Sequence, residues 1–139
     1  MGFKAVDFVP LQSPSPLIPS GKDVQVKAFS VARTDTTAAL KAVLPADATI
    51  IDFRIAGVAS DAATTATISI GSTSTSTEYI NGQDVKGAGT YIRPTIVGTA
   101  IPNTEPLPLG ADLPIYAKYA ETGTASTVGA WKVLVYYVR

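Results

Sequence analysis

The side chains able to do chemistry in this 139-residue sequence are carboxylates. Asp52, Asp61, Glu78, Asp84, Glu105 and Glu121 could serve as general acid and base, which needs two such groups held around one substrate. No spacing pairs any two of them, and each reads more simply as a turn residue or a solvated strand position. Histidine is absent. That removes Ser-His-Asp and Cys-His nucleophiles, histidine-based zinc sites and the commonest base near neutral pH. Cysteine is absent too, so there is no disulfide, thiolate nucleophile or thiolate metal site. Asp84 beside Asn81-Gly82 has a trace of a calcium loop, but the alternate oxygen ligands and the closing Glu are missing. Gly87-Ala88-Gly89-Thr90 lacks the strand–loop–helix setting of a phosphate cradle. The residues imply no enzyme, no metal and no cofactor.

Composition narrows the partners. Lys plus Arg number 11, as do Asp plus Glu, for a formal net charge of +0. The basic residues are scattered singly, whereas a nucleic-acid surface needs a basic stripe to release counterions. Charged residues make up 16% of the chain, against roughly 25% in an average soluble domain. With so little charge the surface is poorly protected against association, which favours a working state that is an assembly. Hydrophobic content of 46% and mean hydropathy of +0.24 place the chain among ordered globular proteins. No apolar run approaches the roughly 20 residues of a membrane span, and the N-terminus lacks a basic-then-apolar signal pattern. A soluble product made in the cytoplasm is expected.

The elements that would position any site are strands. Residues 45–91 organise the chain. Ile51, Phe53 and Ile55 alternate with Asp52 and Arg54; after a small-residue turn over 60–65, Ala66, Ile68 and Ile70 alternate with Thr67 and Ser69, and Gly71 ends the run. Period-two alternation marks half-buried strands, here read as two neighbouring strands followed by a lid-like connection. Upstream, Val24, Val26 and Ala28 alternate with Gln25 and Lys27 before Phe29 and Val31 take over, a phase change that predicts a bulge. Residues 34–37 form a polar turn and 39–44 a short strand ended by Pro45. Residues 77–85 are the one place a short helix is allowed, with Thr77 as its cap, although Glu78 comes too early for a capping box and Asn81-Gly82 favours a turn. Residues 91–98 read as an edge strand because of Pro94, and the proline-rich 100–114 as a fixed loop.

The last two strands read as a hairpin. Leu113, Ile115, Ala117 and Tyr119 share one face; 122–129 is the loop; Trp131, Val133, Val135 and Tyr137 return. Leu134, Tyr136 and Val138 make the other face of the final strand apolar as well, which places it centrally or at an interface. Seven or eight strands with almost no helical periodicity predict an all-β fold, an antiparallel β-sandwich of the jelly-roll kind spanning residues 23–139.

Residues 1–22 form an extended Pro-rich N-terminal arm. Pro10, Pro14, Pro16 and Pro19 exclude helix, yet Phe3, Phe8, Leu11, Leu17 and Ile18 are too apolar for a solvated tail. The arm is expected to pack on a surface, its own or a neighbour's. Tyr79, Tyr91, Tyr116, Tyr119, Trp131, Tyr136 and Tyr137 remain as recognition groups. Trp131 and Tyr119 read as core; Tyr116 and Tyr136 are candidates for an interface alongside the arm residues.

The wording LPADATIIDFRIAG, then ATTATISIGSTSTSTEYINGQDVKGAGTY, with the closing TGTASTVGAWKVLVYYVR, resembles small head proteins of tailed bacteriophages. The resemblance covers residues 45–139 and leaves out the arm. It implies a jelly-roll-like cement or decoration protein on the exterior of an icosahedral virion, bridging subunits of the major capsid protein against the pressure of packaged DNA. It carries no catalytic residues to transfer. The expected partners are the major capsid protein and further copies of the chain itself, as a homodimer or else a trimer, with no nucleic acid and no membrane. The competing expectation is a tail or fibre module that binds host-surface glycan.

Overall fold

Successive side chains of a strand point to opposite faces, so the alternating runs can each bury one face if two sheets stack. They do. The computed structural model describes residues 23–62, 64–87 and 111–139, which form seven strands: β1 (Val24–Ala32), β2 (Ala39–Leu44), β3 (Thr49–Val58), β4 (Thr65–Gly71), β5 (Ile80–Asp84), β6 (Leu113–Thr122) and β7 (Ala130–Val138). One sheet has the order β1-β7-β3 and the other β2-β6-β4-β5. Every pairing is antiparallel. The fold is an all-β sandwich. No helix among the described residues is long and apolar enough to cross a membrane.

The two sheet orders run in step. β1, β7 and β3 of one sheet correspond to β2, β6 and β4 of the other, each its neighbour in sequence. Chain connections therefore cross between sheets at β1–β2, β2–β3, β3–β4 and β6–β7; only β4 and β5 are both consecutive and paired. This interleaving is the jelly-roll arrangement. It corrects two expectations. β3 and β4 are not paired neighbours but lie in opposite sheets, and β6 and β7 form no hairpin, because the loop after β6 carries the chain across the sandwich. Alternation determines which face of a strand is buried, and it is silent about which sheet a strand joins.

The core lies between the sheets. Phe53, Ile55 and Val133 on one side meet Ile68, Ile115 and Tyr119 on the other, all fully buried. Complete burial of a side chain of this size stabilises by about 1.5–3 kcal/mol. Two aromatic pairs join the layers. Tyr119 of β6 stacks on Trp131 of β7 at 5.2 Å between ring centroids. Phe53 of β3 packs on Tyr79, just ahead of β5, at 5.6 Å. Trp131 and Tyr119 are thus core, as expected.

Three local expectations fail for one reason, the position of bulges. β1 pairs with β7 in unbroken register from Val24 opposite Val138 to Ala32 opposite Ala130. The phase change is therefore not a bulge: Val24, Val26 and Ala28 simply face outward. The bulge lies instead in β3, between Ile50 and Asp52, so Ile50 takes the core position and Ile51 is 44% exposed. One extra residue slips a period-two count by one. The third failure is the short helix, replaced by β5. There Asn81-Gly82 forms neither turn nor helix but a bulge opposite Ser69. Gly82 adopts φ +70° and gives its N–H to Ser69 Oγ at 3.0 Å. A bulge and a tight turn ask for the same left-handed backbone, which is why the pair reads as either. The arm 1–22, the strand expected at 91–98 and most of the loop expected at 100–114 lie outside the described residues.

The buried tyrosines separate burial from hydrogen bonding. The Tyr79 hydroxyl is buried without a well-formed hydrogen bond, only a weak approach from Ser72, whereas the Tyr119 hydroxyl meets Ser60 Oγ at 2.8 Å and donates to Glu121 Oε2 at 2.7 Å. Removing an unsatisfied hydroxyl costs little, and removing a satisfied one costs about 1–3 kcal/mol when a buried partner is stranded. Tyr79→Phe should therefore leave the melting temperature unchanged or raise it, and Tyr119→Phe should lower it by roughly 4–8 °C. Differential scanning calorimetry of the two variants checks this; an equal fall in both would contradict it.

Candidate assembly surface

The described candidate carboxylates are held by hydrogen bonds and ion pairs within the fold. Asp61, in the crossover after β3, reaches the loop between β6 and β7. Its carboxylate accepts from Ser126 Oγ at 2.6 Å, Thr127 N at 2.8 Å, Thr127 Oγ1 at 2.6 Å and Val128 N at 3.1 Å. The Ser126 and Thr127 hydroxyls, then the Val128 amide, hold the Asp61 carboxyl well below the usual carboxylate range; burial opposes them and the Thr127 amide adds a last, smaller contribution. Glu121 Oε2 accepts Ser126 N at 3.1 Å as well as the Tyr119 hydroxyl, and Arg33 donates to the Ser126 carbonyl at 2.8 Å. The result is a latch tying together two sheet-crossing loops.

A similar device organises the Ser/Thr tract. Glu78 accepts from the hydroxyls of Thr73 and Thr75 and from Thr77 N. Burial pushes its carboxyl up, but these donors prevail and bring it from 4.5 to about 2. At Asp35 burial also pushes upward and is outweighed by Ala32 N–H and Lys41, leaving it lowered. Asp84 accepts the Lys86 amide at 2.8 Å and Asp52 pairs with Arg54. Glu105 lies outside the described residues. Among the described residues no cluster of three potential metal ligands forms.

These shifts have a definite sign. A carboxyl whose folded pKa is depressed contributes stability that is fully present above its unfolded pKa and is lost as pH falls through the folded one. For Glu78 the window runs from about 4.5 down to about 2; Asp61 and Asp35 lose theirs in the same direction. The melting temperature should hold from pH 7 to about 5 and fall steadily below that. Asp61→Asn should melt lower at pH 6 and show a shallower acid slope. A variant slope as steep as wild type, measured by circular dichroism melts at half-unit steps, would remove Asp61 from this role.

What distinguishes the surface is apolar exposure on both outer faces. The register of β1 with β7 places Val24 beside Val138, Val26 beside Tyr136 and Ala28 beside Leu134. These residues have the parity opposite to buried Phe29, Val31, Val133 and Val135, so they face away from the core. Val24 is 61% exposed and Val26 49%, while Leu134, Tyr136 and Val138 are half-buried. Exposed Ile51 at the β3 bulge extends the patch. Its polar border is Lys132 and Ser30 at one end and the Asp52–Arg54 ion pair along β3.

The opposite sheet carries a second patch. Leu40 pairs with Tyr116 and Val43 with Pro114; Leu40 is 53% exposed and Val43 43%. A bulge at Lys41 brings Leu40 and Val43 to the surface while Ala42 and Leu44 are buried. Of the residues the sequence proposed for an interface, Tyr116 and Tyr136 thus lie half-buried on the outer faces of opposite sheets, each beside an exposed aliphatic residue. Phe3, Phe8, Leu11, Leu17 and Ile18 lie outside the described residues. The aliphatic members Val24, Val26, Leu40, Val43 and Ile51 were not anticipated. The two-phase apolar pattern of β1 was the available signal, since a strand apolar on both faces needs a cover on each.

No family model matches the sequence, and no curated protein does. Among solved structures, a chain of the cyanophage Pam1 capsid asymmetric unit is similar in fold, with a TM-score of 0.63 and 23% sequence identity over 91% of this chain and 91% of that one.

Proposed function

We propose that this chain is a virion structural protein, a cement or decoration protein that binds the shell of major capsid protein and stabilises it from outside. The observation that carries the reading is the pair of apolar patches on opposite outer faces, around Tyr136 and around Tyr116. A molecule with one sticky face caps; one with two can bridge. The fold it shares with a chain of a phage capsid asymmetric unit supports the same reading, as does the saturation of Asp61 and Glu78 by internal donors, which leaves them to brace loops. Burial of apolar surface contributes about 25 cal/mol per Å², and many linked copies on a closed shell multiply modest individual affinities.

The role is mechanical, with no substrate turned over. To test it, purified chain is added to capsids assembled without it, and bound copies and the temperature of DNA release are measured. Saturable binding with a higher release temperature is expected. Failure to bind, together with glycan-array binding that Tyr136→Ala abolishes, would replace this reading with host-surface recognition through Tyr136 and the neighbouring Asp52.

A further inference from the structure

The chain has two asparagines, Asn81 and Asn103, and only Asn81 precedes a glycine. That order permits a reaction within the chain. The Gly82 amide nitrogen, once hydroxide has taken its proton, can attack Cγ of the Asn81 carboxamide. A bond from the nitrogen to Cγ forms, the bond from Cγ to Nδ2 breaks, and Nδ2 leaves as ammonia with a proton from water. Water then opens the five-membered ring at either carbonyl, leaving aspartate or isoaspartate. The net change is one water consumed and one ammonia released, with nothing oxidised. Asparagine is thermolabile for this reason, and glycine is the most permissive follower because no Cβ obstructs its nitrogen.

The fold both exposes this pair and restrains it. Asn81 and Gly82 are exposed, and a Cβ added to Gly82 would meet nothing within 4 Å, so water and hydroxide can reach the pair. Opposing this, Gly82 donates its N–H to Ser69 Oγ at 3.0 Å. Ser69 lies in β4 and is 6% exposed. Ile68 pairs with Gln83 and Ile70 with Ile80, so Asn81 and Gly82 share the place opposite Ser69. A proton held in a hydrogen bond is harder to remove, and a peptide held toward Ser69 cannot rotate the face of its nitrogen onto Cγ. The restraint lasts only while β5 stays on β4. Among the described strands β5 is five residues long and last in the order β2-β6-β4-β5, and a short strand with one neighbour opens more readily than the middle of a sheet.

We propose that Asn81 is a self-modification site, converted to aspartate or isoaspartate through the Gly82 nitrogen, and that Ser69 sets the rate by holding the Gly82 N–H. The isoaspartate product does not fit the bulge. It puts one extra methylene into the backbone between Ile80 and Gln83, so these two cannot both keep their partners Ile70 and Ile68. Ile80 is 1% exposed, and its displacement uncovers the core. Either product also adds a negative charge to a chain whose formal net charge is +0. The inference is independent of what either outer face binds.

To test it, the full-length protein is incubated near neutral pH, folded or unfolded in urea, and peptide mass spectrometry follows the replacement of the amide NH2 by OH at residue 81. Folded wild type should react at least about tenfold slower than wild type in urea. Folded Ser69→Ala should react about 2–10-fold faster than folded wild type, the worth of one hydrogen bond. In urea the two chains should react at equal rates. A second measurement needs no variant: urea too dilute to unfold the protein should speed hydrogen exchange at the Gly82 amide and loss of Asn81 by the same factor. Equal rates for folded and unfolded wild type, or exchange that speeds up without faster loss of Asn81, would overturn the restraint. A folded Ser69→Ala chain no faster than wild type would overturn the role of Ser69, and an Asn81 that stays intact even in urea would overturn the site.

Discussion

On the proposed function, replacing Val24 and Val26 together with lysine should abolish binding of the chain to capsids while leaving it folded. Both side chains are exposed, at 61% and 49%, so their loss removes little from the core. In an interface they are covered, and each ammonium then needs a partner or must be excluded from the contact. Leaving a charge buried and unpaired costs several kcal/mol, and each 1.4 kcal/mol is tenfold in affinity. The loss should therefore exceed about a hundredfold in sedimentation or surface-binding assays. The corresponding pair on the other sheet, Leu40→Lys with Val43→Lys, distinguishes a bridge from a cap. A bridging protein loses occupancy or thermal protection with either pair, whereas a capping protein responds to one pair only. If both doubly substituted chains melt like wild type and still decorate capsids fully, neither outer face is the docking surface.

The reason these residues went unnoticed in sequence is instructive. Alternation was legible wherever a strand had one buried face: β2 is where Pro45 ends it, and the inward sets of β6 and β7 are those the pattern gives. In β1 the apolar residues change parity midway, and sequence alone offers two explanations. One is a bulge; the other is a strand whose first half shows apolar residues to the outside. The unbroken register with β7 selects the second. The reverse error occurred in β3, where Ile50 and Ile51 are chemically equal and only the bulge decides which is buried.

Sheet membership was illegible for a different reason. The crossover after β3 and the loop after β6 have the small polar residues of hairpin turns, and their real role depends on a contact between them. Asp61 and Ser126 are 65 positions apart, so no local window can link them. Tyr116 and Tyr136 could be proposed because a tyrosine on the polar-phase face of a strand has nothing to bury it. The latch could not, since Asp and Ser have the same appearance in any turn.

The largest effect on folding should come from a glycine that no turn requires. Gly57, in β3, lies opposite Trp131 in β7. A Cβ at that position would run into the Ala130 carbonyl oxygen and stand 2.7 Å from Trp131 Cα and 2.9 Å from its Cδ1. Two of those three atoms are backbone, so they cannot move aside without shifting β7, the strand between β1 and β3. Trp131 is also the partner on which Tyr119 stacks across the sandwich, and a displaced indole disturbs both layers. Overpacking of a core ordinarily costs about 1–3 kcal/mol and more where backbone must move. Gly57→Ala should therefore cost at least about 3 kcal/mol and Gly57→Val most of the roughly 5–15 kcal/mol that holds a domain folded. Two controls separate space from backbone strain. Gly87 has open space around it, and Gly87→Ala should be neutral. Gly82 also has open space but sits at φ +70°, so Gly82→Ala should cost about 1–2 kcal/mol from conformation alone. Urea unfolding of the three alanine variants should rank them Gly57, Gly82, Gly87 in order of loss. A Gly57→Ala chain as stable as Gly87→Ala would mean that β3 and β7 are not packed this closely.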